Sequence, residues 1–385
     1  VAAHSMVRAL YRGYAGPLYA VKRLSDNTFK DVAPVAPGGY ADAASQDAFC
    51  GGAHCVIWMI YDQTKHQNHL SVAPRKDGAH HIKDLPCNAT RDNLTIGGHR
   101  VYSAYFEGGM GYRNDITSGI AVQDKAETMY MVTSGVHYNG RCCFDYGNAE
   151  TNNLDDGAGT MEAIYFGSAK GGLNHGGAGA GPWIMADMEN ALWGSDVVES
   201  NETLINHTFV TAMVKGDVSD RGVPGPYQPE VDYSGTDVSP CGDPRRGRHA
   251  CTLPANSTHL DCEAKCNSTQ SCVGYVFADA SCSGVPLHAL CWTKGSMNPT
   301  NATSCRSSRV MVPKEPHGHW AIKGGDAQGG ALHVYWDGKR APGYAPMRKQ
   351  GAIVLGIGGD NSDASVGTFY EGVMTGGYSS SATDD

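Results

Sequence analysis

Acidic side chains at the ends of apolar runs are the residues of this sequence most suited to chemistry. Residues 183–190 read Trp-Ile-Met-Ala-Asp-Met-Glu-Asn, an apolar run that ends in Asp187 and Glu189. Side chains at i and i+2 of a β-strand project from the same face, so we expect these carboxyl groups to lie side by side. Buried carboxylates are costly unless they are paired or hydrogen-bonded, which favours a specific role. The alternative is that both acids occupy the solvated face of an edge strand.

A second candidate acid follows another apolar run. Residues 351–357 predict a buried strand, and Gly358 and Gly359 then place Asp360 on a tight turn, where glycine lets backbone and ligand approach closely. Cleavage of a glycosidic bond needs two carboxyl groups, one to protonate the leaving oxygen and one to attack the anomeric carbon or activate water. An ordinary turn aspartate is the alternative for Asp360. The rival acids are Glu150, Asp155, Asp156 and Glu162.

Composition and charge indicate an extracellular protein. The net charge of -9 argues against a nucleic-acid partner, which requires a basic surface. Thirteen cysteines favour an oxidising compartment, and no apolar run approaches the ~20 residues that span a bilayer. We therefore expect a secreted glycoprotein whose signal peptide has been removed, with no membrane span. The N-x-S/T sequons are at Asn88, Asn93, Asn201, Asn206, Asn256, Asn267 and Asn301.

The distribution of glycines, prolines and cysteines divides the chain. Short β-type runs bounded by turn residues occupy residues 1–216 and return in 317–385, which predicts an all-β sandwich. Residues 217–316 contain a proline-rich linker and eight of the cysteines, typical of a small module stapled by disulfides. Residues 260–266 predict a short helix with Cys262 and Cys266 on one face. We interpret the chain as a β domain interrupted by this module; two domains in series are the alternative.

Eight stretches resemble the α-L-arabinofuranosidases of glycoside hydrolase family 54, in family order and over nearly the whole chain outside residues 217–316. They are residues 1–5, 8–11, 61–63 with 68–70, 111–114, 142–151, 181–190, 355–362 and 368–374.

The resemblance implies a jelly-roll-like (concanavalin A-like) β-sandwich and retaining hydrolysis of terminal α-L-arabinofuranosyl groups from arabinose-containing glycans, without a metal or cofactor. By this resemblance Glu189 is the nucleophile and Asp360 is the acid/base. Asp187 and Asn190 are expected to hold sugar hydroxyls, and the backbone of Gly359 to close the pocket.

Two disulfides are implied by the same resemblance. One joins the sequence neighbours Cys142 and Cys143 and forms part of the sugar-binding wall; adjacent cysteines that pair with separate partners are the alternative. The other joins Cys50 to Cys55, which leaves Cys87 without an evident partner.

The sequence departs from the family in two places. The glycine-rich loop before Pro182 has no tryptophan, and His175 is the residue that could replace its stacking surface. The segment 217–316 resembles PAN/apple modules, which bind proteins or carbohydrates, so we predict a protein or glycan ligand for it. A stapled spacer without a ligand is the alternative.

Two functions are compatible with these features. An active arabinofuranosidase is favoured because both carboxylates are present. The competing hypothesis is a non-catalytic carbohydrate-binding or structural glycoprotein built on the same fold. Metal- and serine-hydrolase chemistry is disfavoured, since H-E-x-x-H, G-x-S-x-G and P-loop motifs are missing from the sequence.

Overall fold

A computed structural model describes residues 1–74, 85–170, 180–195, 205–217, 233–234, 251–267, 272, 274–279, 281, 288–294, 298–299, 307–310 and 318–384. Its first strands are β1 (Ala2–Ser5), β2 (Tyr19–Arg23), β3 (Thr28–Val32), β4 (Cys55–Ile60), β5 (Leu70–Val72), β6 (Asn93–Ile96), β7 (His99–Tyr102), β8 (Ala104–Phe106), β9 (Tyr112–Asn114), β10 (Glu127–Ser134), β11 (Asp145–Ala149), β12 (Glu162–Gly167), β13 (Trp183–Asp187), β14 (Leu192–Trp193) and β15 (Phe209–Asp217). The later strands are β16 (Tyr233–Ser234), β17 (Cys251–Pro254), β18 (Gly274–Ala278), β19 (His288–Lys294), β20 (Asn298–Pro299), β21 (Ser307–Val310), β22 (His319–Asp326), β23 (His333–Lys339), β24 (Ala352–Leu355) and β25 (Gly367–Gly376). The helices are α1 (Ala43–Cys50), α2 (His259–Asn267) and α3 (Ser381–Asp384).

Two antiparallel sheets form the larger part of the chain. One has the order β1-β25-β10-β15-β22-β23, with β8 also paired to β25. The other has the order β14-β13-β12-β11-β24-β9-β5-β4-β2-β3. Alternate side chains of the two sheets meet in one apolar core, to which Met129, Tyr146, Ile184 and Phe369 all belong. The predicted all-β sandwich is confirmed.

The segment 217–316 interrupts a hairpin. β15 and β22 are antiparallel neighbours in register from Val210 opposite Asp326 to Asp217 opposite His319, so both ends of the intervening segment start from one end of the same strand pair. The chain divides into two compact units, Val1–Val218 with His317–Asp385, and Ser219–Pro316. An insertion whose ends lie side by side leaves the strand pairing intact.

The smaller unit contains a four-stranded sheet, β17-β19-β18-β21, with α2 packed on it. Cys262 and Cys266 lie on α2, as the sequence predicts, and both are buried. Their disulfides join Cys262 to Cys291 of β19 and Cys266 to Cys272. The first disulfide therefore links the helix covalently to the sheet, in a unit whose apolar cluster is small.

No helix among the described residues has the length and hydropathy required to cross a lipid bilayer.

Candidate active site

An open pocket of about 320 Å³ lies at the end of the larger sheet where β13 and β14 meet the loop after β24. Five ionisable side chains line it, one lysine and four acids, and all four acids were predicted as catalytic, binding or rival residues. The lining residues are Cys142, Cys143, Asp155, Ala169, Lys170, Asp187, Glu189, Asn190, Ala191, Leu192, Gly358, Asp360 and Ser362. Asp360 is the fourth acid of the lining, so the pocket collects the predicted carboxyl groups from two distant parts of the chain.

A two-residue hairpin turn presents Glu189 to the pocket. β13 pairs with β14 through Asp187 opposite Leu192, and the Met188 N–H donates to the Ala191 carbonyl across 3.1 Å. Glu189 and Asn190 occupy the centre of the turn with φ of 58° and 63°, the left-handed values of a type I′ hairpin turn. Glutamate seldom adopts this conformation, which is found mostly where function requires it.

The strand-period argument for Asp187 and Glu189 was therefore wrong in its premise. β13 ends at Asp187, and Glu189 reaches the pocket because the chain turns rather than because a strand alternates. The Glu189 N–H donates to Asp187 Oδ1 across 3.1 Å, which fixes the two acids relative to each other. Their exposed fractions are 5% and 7%, so the alternative of a solvated strand face is also excluded.

A buried arginine and backbone hydrogen bonds shape the loop that carries Asp360. β24 is fully buried between β11 and β9, as its apolar sequence predicts. It ends at Leu355, five residues before Asp360. Asp360 Oδ1 accepts from the Ser362 N–H at 2.9 Å, and the Gly358 N–H donates to the Ser362 carbonyl at 3.0 Å. The Arg113 guanidinium, 1% exposed, donates to the Gly359 carbonyl at 2.9 Å from below the loop. These bonds hold Asp360 at the rim of the pocket.

A disulfide between Cys142 and Cys143 forms one wall. Cys143 Sγ lies 3.3 Å from Asp187 Oδ2 and 3.6 Å from the Ser362 hydroxyl, so the wall touches both acid-bearing loops. This is the pairing implied by the family resemblance, as is the second disulfide, between Cys50 and Cys55. Cys87 is buried with a free thiol.

The acids of the site raise one another's pKa. Burial and the carboxylates Glu150, Asp187 and Asp360 raise the pKa of Glu189. Burial likewise raises the pKa of Asp187 and of Glu150. Carboxyl groups this close cannot all be ionised, so the cluster keeps protons at pH values where an exposed acid has lost them.

Asp145 is a site residue that the sequence reasoning missed. It begins β11, is completely buried, and lies within hydrogen-bond distance of Asp187. Burial and the Asp187 carboxylate raise the pKa of Asp145 well above its ordinary value. Asp145 is therefore the neutral acid that can donate to Asp187. Its place two residues after the adjacent cysteines was the signal that could have found it.

The pocket has no set of residues suited to a metal ion among those described. The ligand atoms of Cys142, Cys143 and Asp187 are grouped within 4.8 Å. Two of these three atoms are the sulfurs of one disulfide, which are not thiolates. One carboxylate remains, too few ligands for a protein metal site.

The remaining residues predicted for the site lie in different places. Gly359 does not line the pocket but packs behind it, where an added Cβ would overlap Glu150 Oε2 and come within 2.8 Å of Glu189 Oε2. Asp155 lines the pocket and accepts from Asn190 Nδ2 at 2.9 Å. Glu162 is buried elsewhere, beside Lys349, and His175 lies outside the described residues.

The sequons fall in different environments. Asn93, Asn206 and Asn256 are exposed, and Asn88 is half-buried. Asn267 ends α2, where its side chain is not described, and Asn201 and Asn301 lie outside the described residues. Three sequons are thus placed where a glycan could be accommodated.

A β-sandwich that presents several carboxyl groups beside a disulfide wall in one open pocket has the site of a glycoside hydrolase. Residues 1–222 and 289–385 match the family described as "Alpha-L-arabinofuranosidase B, catalytic". The α-L-arabinofuranosidase B of Aspergillus oryzae is 38% identical over 392 residues, an alignment that covers 100% of this chain and 58% of that protein. The chain therefore belongs to the family of α-L-arabinofuranosidase B catalytic domains.

Solved structures agree with this assignment. A mutant of a family 54 α-L-arabinofuranosidase soaked with 4-nitrophenyl α-L-arabinofuranoside is 36% identical, with a TM-score of 0.71, and the match covers 100% of this chain and 60% of that one. An arabinofuranosidase complexed with arabinofuranosyl-α-1,2-xylobiose is also 36% identical, with a TM-score of 0.69, over 99% of this chain and 60% of that one. The chain thus spans about three fifths of the length of the relatives that it matches.

Proposed function

We propose that this protein is a retaining glycoside hydrolase that releases terminal α-L-arabinofuranosyl groups from polysaccharides or glycoproteins of plant or algal type. The observation that carries the proposal is the convergence of Glu189 and Asp360 on one pocket, on different loops and beside the Cys142–Cys143 disulfide. The names of the related proteins support the arabinofuranoside as substrate.

The proposed reaction has two steps. Glu189 attacks the anomeric carbon while Asp360, as the acid, gives its proton to the departing oxygen, so that a glycosyl ester forms on Glu189. Water then attacks the same carbon, Asp360 accepts the proton of that water, and Glu189 leaves as a carboxylate. Each group ends the cycle in the protonation state in which it began.

The other residues of the pocket have binding roles in this proposal. The carboxylate of Asp187 and the amide of Asn190 face the pocket and accept or donate hydrogen bonds to sugar hydroxyls. The disulfide offers a flat apolar surface to one side of a furanose ring. Lys170 also lines the pocket, with its ammonium 5.3 Å from the Trp183 ring. A terminal arabinofuranose fits a pocket of about 320 Å³ better than an internal unit of a chain does.

The inserted unit Ser219–Pro316 is proposed to be a PAN/apple-like module that binds a protein or glycan, and the whole protein to be secreted. Its separate disulfide-linked core and the exposed sequons support these proposals.

Release of 4-nitrophenol from the α-L-arabinofuranoside tests the proposed activity. We expect wild type to turn over, Glu189→Gln to be inactive, and Asp360→Asn to be impaired mainly at the deglycosylation step, because 4-nitrophenoxide departs with little help from an acid. Azide provides the sharper distinction: as an anionic nucleophile that needs no general base, it should accelerate deglycosylation of Asp360→Asn but not rescue Glu189→Gln. A well-folded wild type that is inactive from acid to alkaline pH would instead favour a non-catalytic carbohydrate-binding glycoprotein.

A further inference from the structure

Another buried carboxyl group, that of Glu150, lies directly behind the proposed nucleophile. We propose that Glu150 is a positioning residue that keeps a proton while Glu189 is ionised, so that the pair carries a single negative charge. The inference rests on the proposed function, because it concerns how Glu189 becomes a nucleophile in a crowded acidic site.

The position of Glu150 gives it no direct access to substrate. It follows the last residue of β11, has an exposed fraction of 0%, and is not part of the pocket lining. Glu189 lines the pocket with an exposed fraction of 7%. The two carboxyl groups are within hydrogen-bond distance of each other, on the same side of the Gly359 backbone. Water and a sugar can therefore stabilise charge on Glu189 but not on Glu150.

The hydrogen bonds of Thr160 provide independent support for a proton on Glu150. Thr160 Oγ1 lies 2.6 Å from the Gly157 carbonyl and also within hydrogen-bond distance of Glu150 Oε1. The hydroxyl has one hydrogen, and a carbonyl oxygen only accepts. Thr160 can therefore donate to only one of the two oxygens, Glu150 Oε1 or the Gly157 carbonyl. Both contacts are hydrogen bonds at the same time only if Glu150 carries a proton and donates it to the Thr160 oxygen.

The other oxygen of Glu150 fits the same assignment. Glu150 Oε2 is buried. Among the described residues, no group donates a hydrogen bond to it. A buried carboxylate oxygen without a donor is unfavourable, and an oxygen of a neutral carboxyl group is far less so. Glu150 Oε2 and Glu189 Oε2 both lie next to the Gly359 backbone.

The charged groups around Glu150 are compatible with a proton on this residue. Glu189 and Asp187 face it from the β13–β14 turn, with Asp360 and Asp155 beyond Glu189, and all of them are acidic. Arg113 is the neighbouring cation, and its guanidinium donates to the Glu150 backbone carbonyl and, across 2.7 Å, to Asp115 Oδ1. Burial raises the pKa of Glu150 by more than Thr160, Glu189 and Arg113 lower it. Burial and the Glu150 carboxyl group also raise the pKa of Glu189, to about 10, so the pair shares a proton, and the greater exposure of Glu189 favours the charge on that residue.

The role of Glu150 in the reaction follows from charge balance. As the bond from Glu189 to the anomeric carbon forms, the negative charge of the pair moves to the leaving oxygen, where the Asp360 proton neutralises it. Glu150 keeps its own proton in this step and in the return step, in which Glu189 regains its charge. An ionised Glu150 would repel the negative charge on Glu189 and favour a proton on Glu189 instead. A protonated Glu189 cannot act as the nucleophile.

Glu150→Gln and Glu150→Leu test the proposal, with kcat and the pH profile of kcat/KM measured on 4-nitrophenyl α-L-arabinofuranoside. Glutamine mimics a protonated glutamic acid, so we expect it to retain most of the wild-type kcat and the acid limb of the profile. Leucine offers no hydrogen bond, so we expect kcat to fall on the order of 100-fold and the acid limb to move to higher pH. The control is Asp156→Asn. Asp156 is a nearby acid outside the pocket that accepts hydrogen bonds from Asn152 and Gln350, so this variant should leave kcat and the pH profile unchanged.

A titration by carbon-13 NMR of glutamate carboxyl groups tests the same proposal without activity. In wild type, Glu150 and Glu189 should titrate as a coupled pair in two separated steps, and in Glu150→Gln the Glu189 signal should titrate in one. Independent titration of both groups near the ordinary glutamate pKa would overturn the proposal, as would a folded Glu150→Gln as inactive as Glu189→Gln. Loss of wild-type activity alone would count against the proposed function and leave the NMR result to decide the role of Glu150.

Discussion

The backbone of Gly359 packs against the carboxyl group of Glu189, so closely that a Cβ at residue 359 would lie 2.8 Å from Glu189 Oε2. The same Cβ would overlap Glu150 Oε2, and the loop cannot retreat easily because Arg113 holds the Gly359 carbonyl. A glycine in the Asp360 loop therefore determines where the nucleophile and its acidic neighbour sit.

Gly359→Ala should consequently damage catalysis more than folding. The methyl group would push Glu189 or the Asp360 loop away, and a displacement of about 1 Å costs roughly 100-fold in rate where reacting groups must be aligned. The measurement is kcat for 4-nitrophenol release, together with the melting temperature. Gly13→Ala is the matched control, because an added Cβ there meets no atom within 4 Å. Equal activity of the two variants would show that the Gly359 contact is unimportant.

The disulfide wall should act mainly on substrate binding. In the variant with Cys142→Ser and Cys143→Ser, the flat surface beside Asp187 is replaced by two mobile hydroxyls. We expect KM to rise roughly tenfold, which corresponds to about 1.4 kcal/mol of lost binding, with a smaller effect on kcat.

The other disulfide of the β-sandwich is the control for this experiment. Cys50→Ser with Cys55→Ser removes a link between α1 and β4, which lie away from the pocket lining. This variant should lower the melting temperature and leave KM unchanged. A change of KM in the control as large as in the wall variant would contradict a specific role for the wall.

The sequence predicted those parts of the molecule that depend on local pattern. The apolar run at residues 351–357 became the buried strand β24, because a short continuous apolar run bounded by turn residues is typical of such a strand. Residues 260–266 became α2, with both cysteines turned to the same side.

Features that depend on long-range contacts were not predictable. The left-handed turn at Glu189 is not encoded by a glycine, so the residues read as a continuing strand. Glu150 was named only as a rival acid and Asp145 was missed, because their places in the site depend on burial against β13 and the Asp360 loop, which are distant in sequence.

A buried cation between two acids should contribute strongly to stability. Lys349 Nζ lies 2.8 Å from Glu127 Oε1 and 2.5 Å from Glu162 Oε2, and the lysine and both acids are buried. Lys349→Met would leave two acids in the core without their shared partner, and we expect the free energy of unfolding in urea to fall by about 3–5 kcal/mol.

Two further variants distinguish a charge effect from a packing effect at Lys349. Addition of Glu127→Gln and Glu162→Gln to Lys349→Met should restore part of the lost stability, because the uncompensated charges are removed. Arg23→Met removes a surface ion pair with Asp26, together with contacts to Phe49, and should lower stability much less than Lys349→Met does. If the triple variant were less stable than Lys349→Met alone, packing rather than charge would explain the loss.

His4 should make the fold sensitive to acid. Its ring is fully buried, with Nε2 2.8 Å from the Asn68 carbonyl and Nδ1 3.0 Å from the Tyr146 hydroxyl. A neutral ring that donates from Nε2 and accepts at Nδ1 satisfies both contacts, and burial lowers the pKa of His4 to about 4. The unfolded chain, with an ordinary histidine pKa of about 6.5, therefore binds the proton first as pH falls.

The contribution of His4 to stability should thus be complete above about pH 6.5 and should decline as pH falls toward 4, by roughly 3 kcal/mol in all. Urea unfolding of wild type and His4→Gln between pH 7 and pH 4 measures it, since glutamine can offer the same donor and acceptor but does not titrate in this range. The two stability curves should converge on acidification. Parallel curves, or an imidazole that titrates in the folded protein near pH 6.5 by NMR, would show that His4 is not the group through which acid acts.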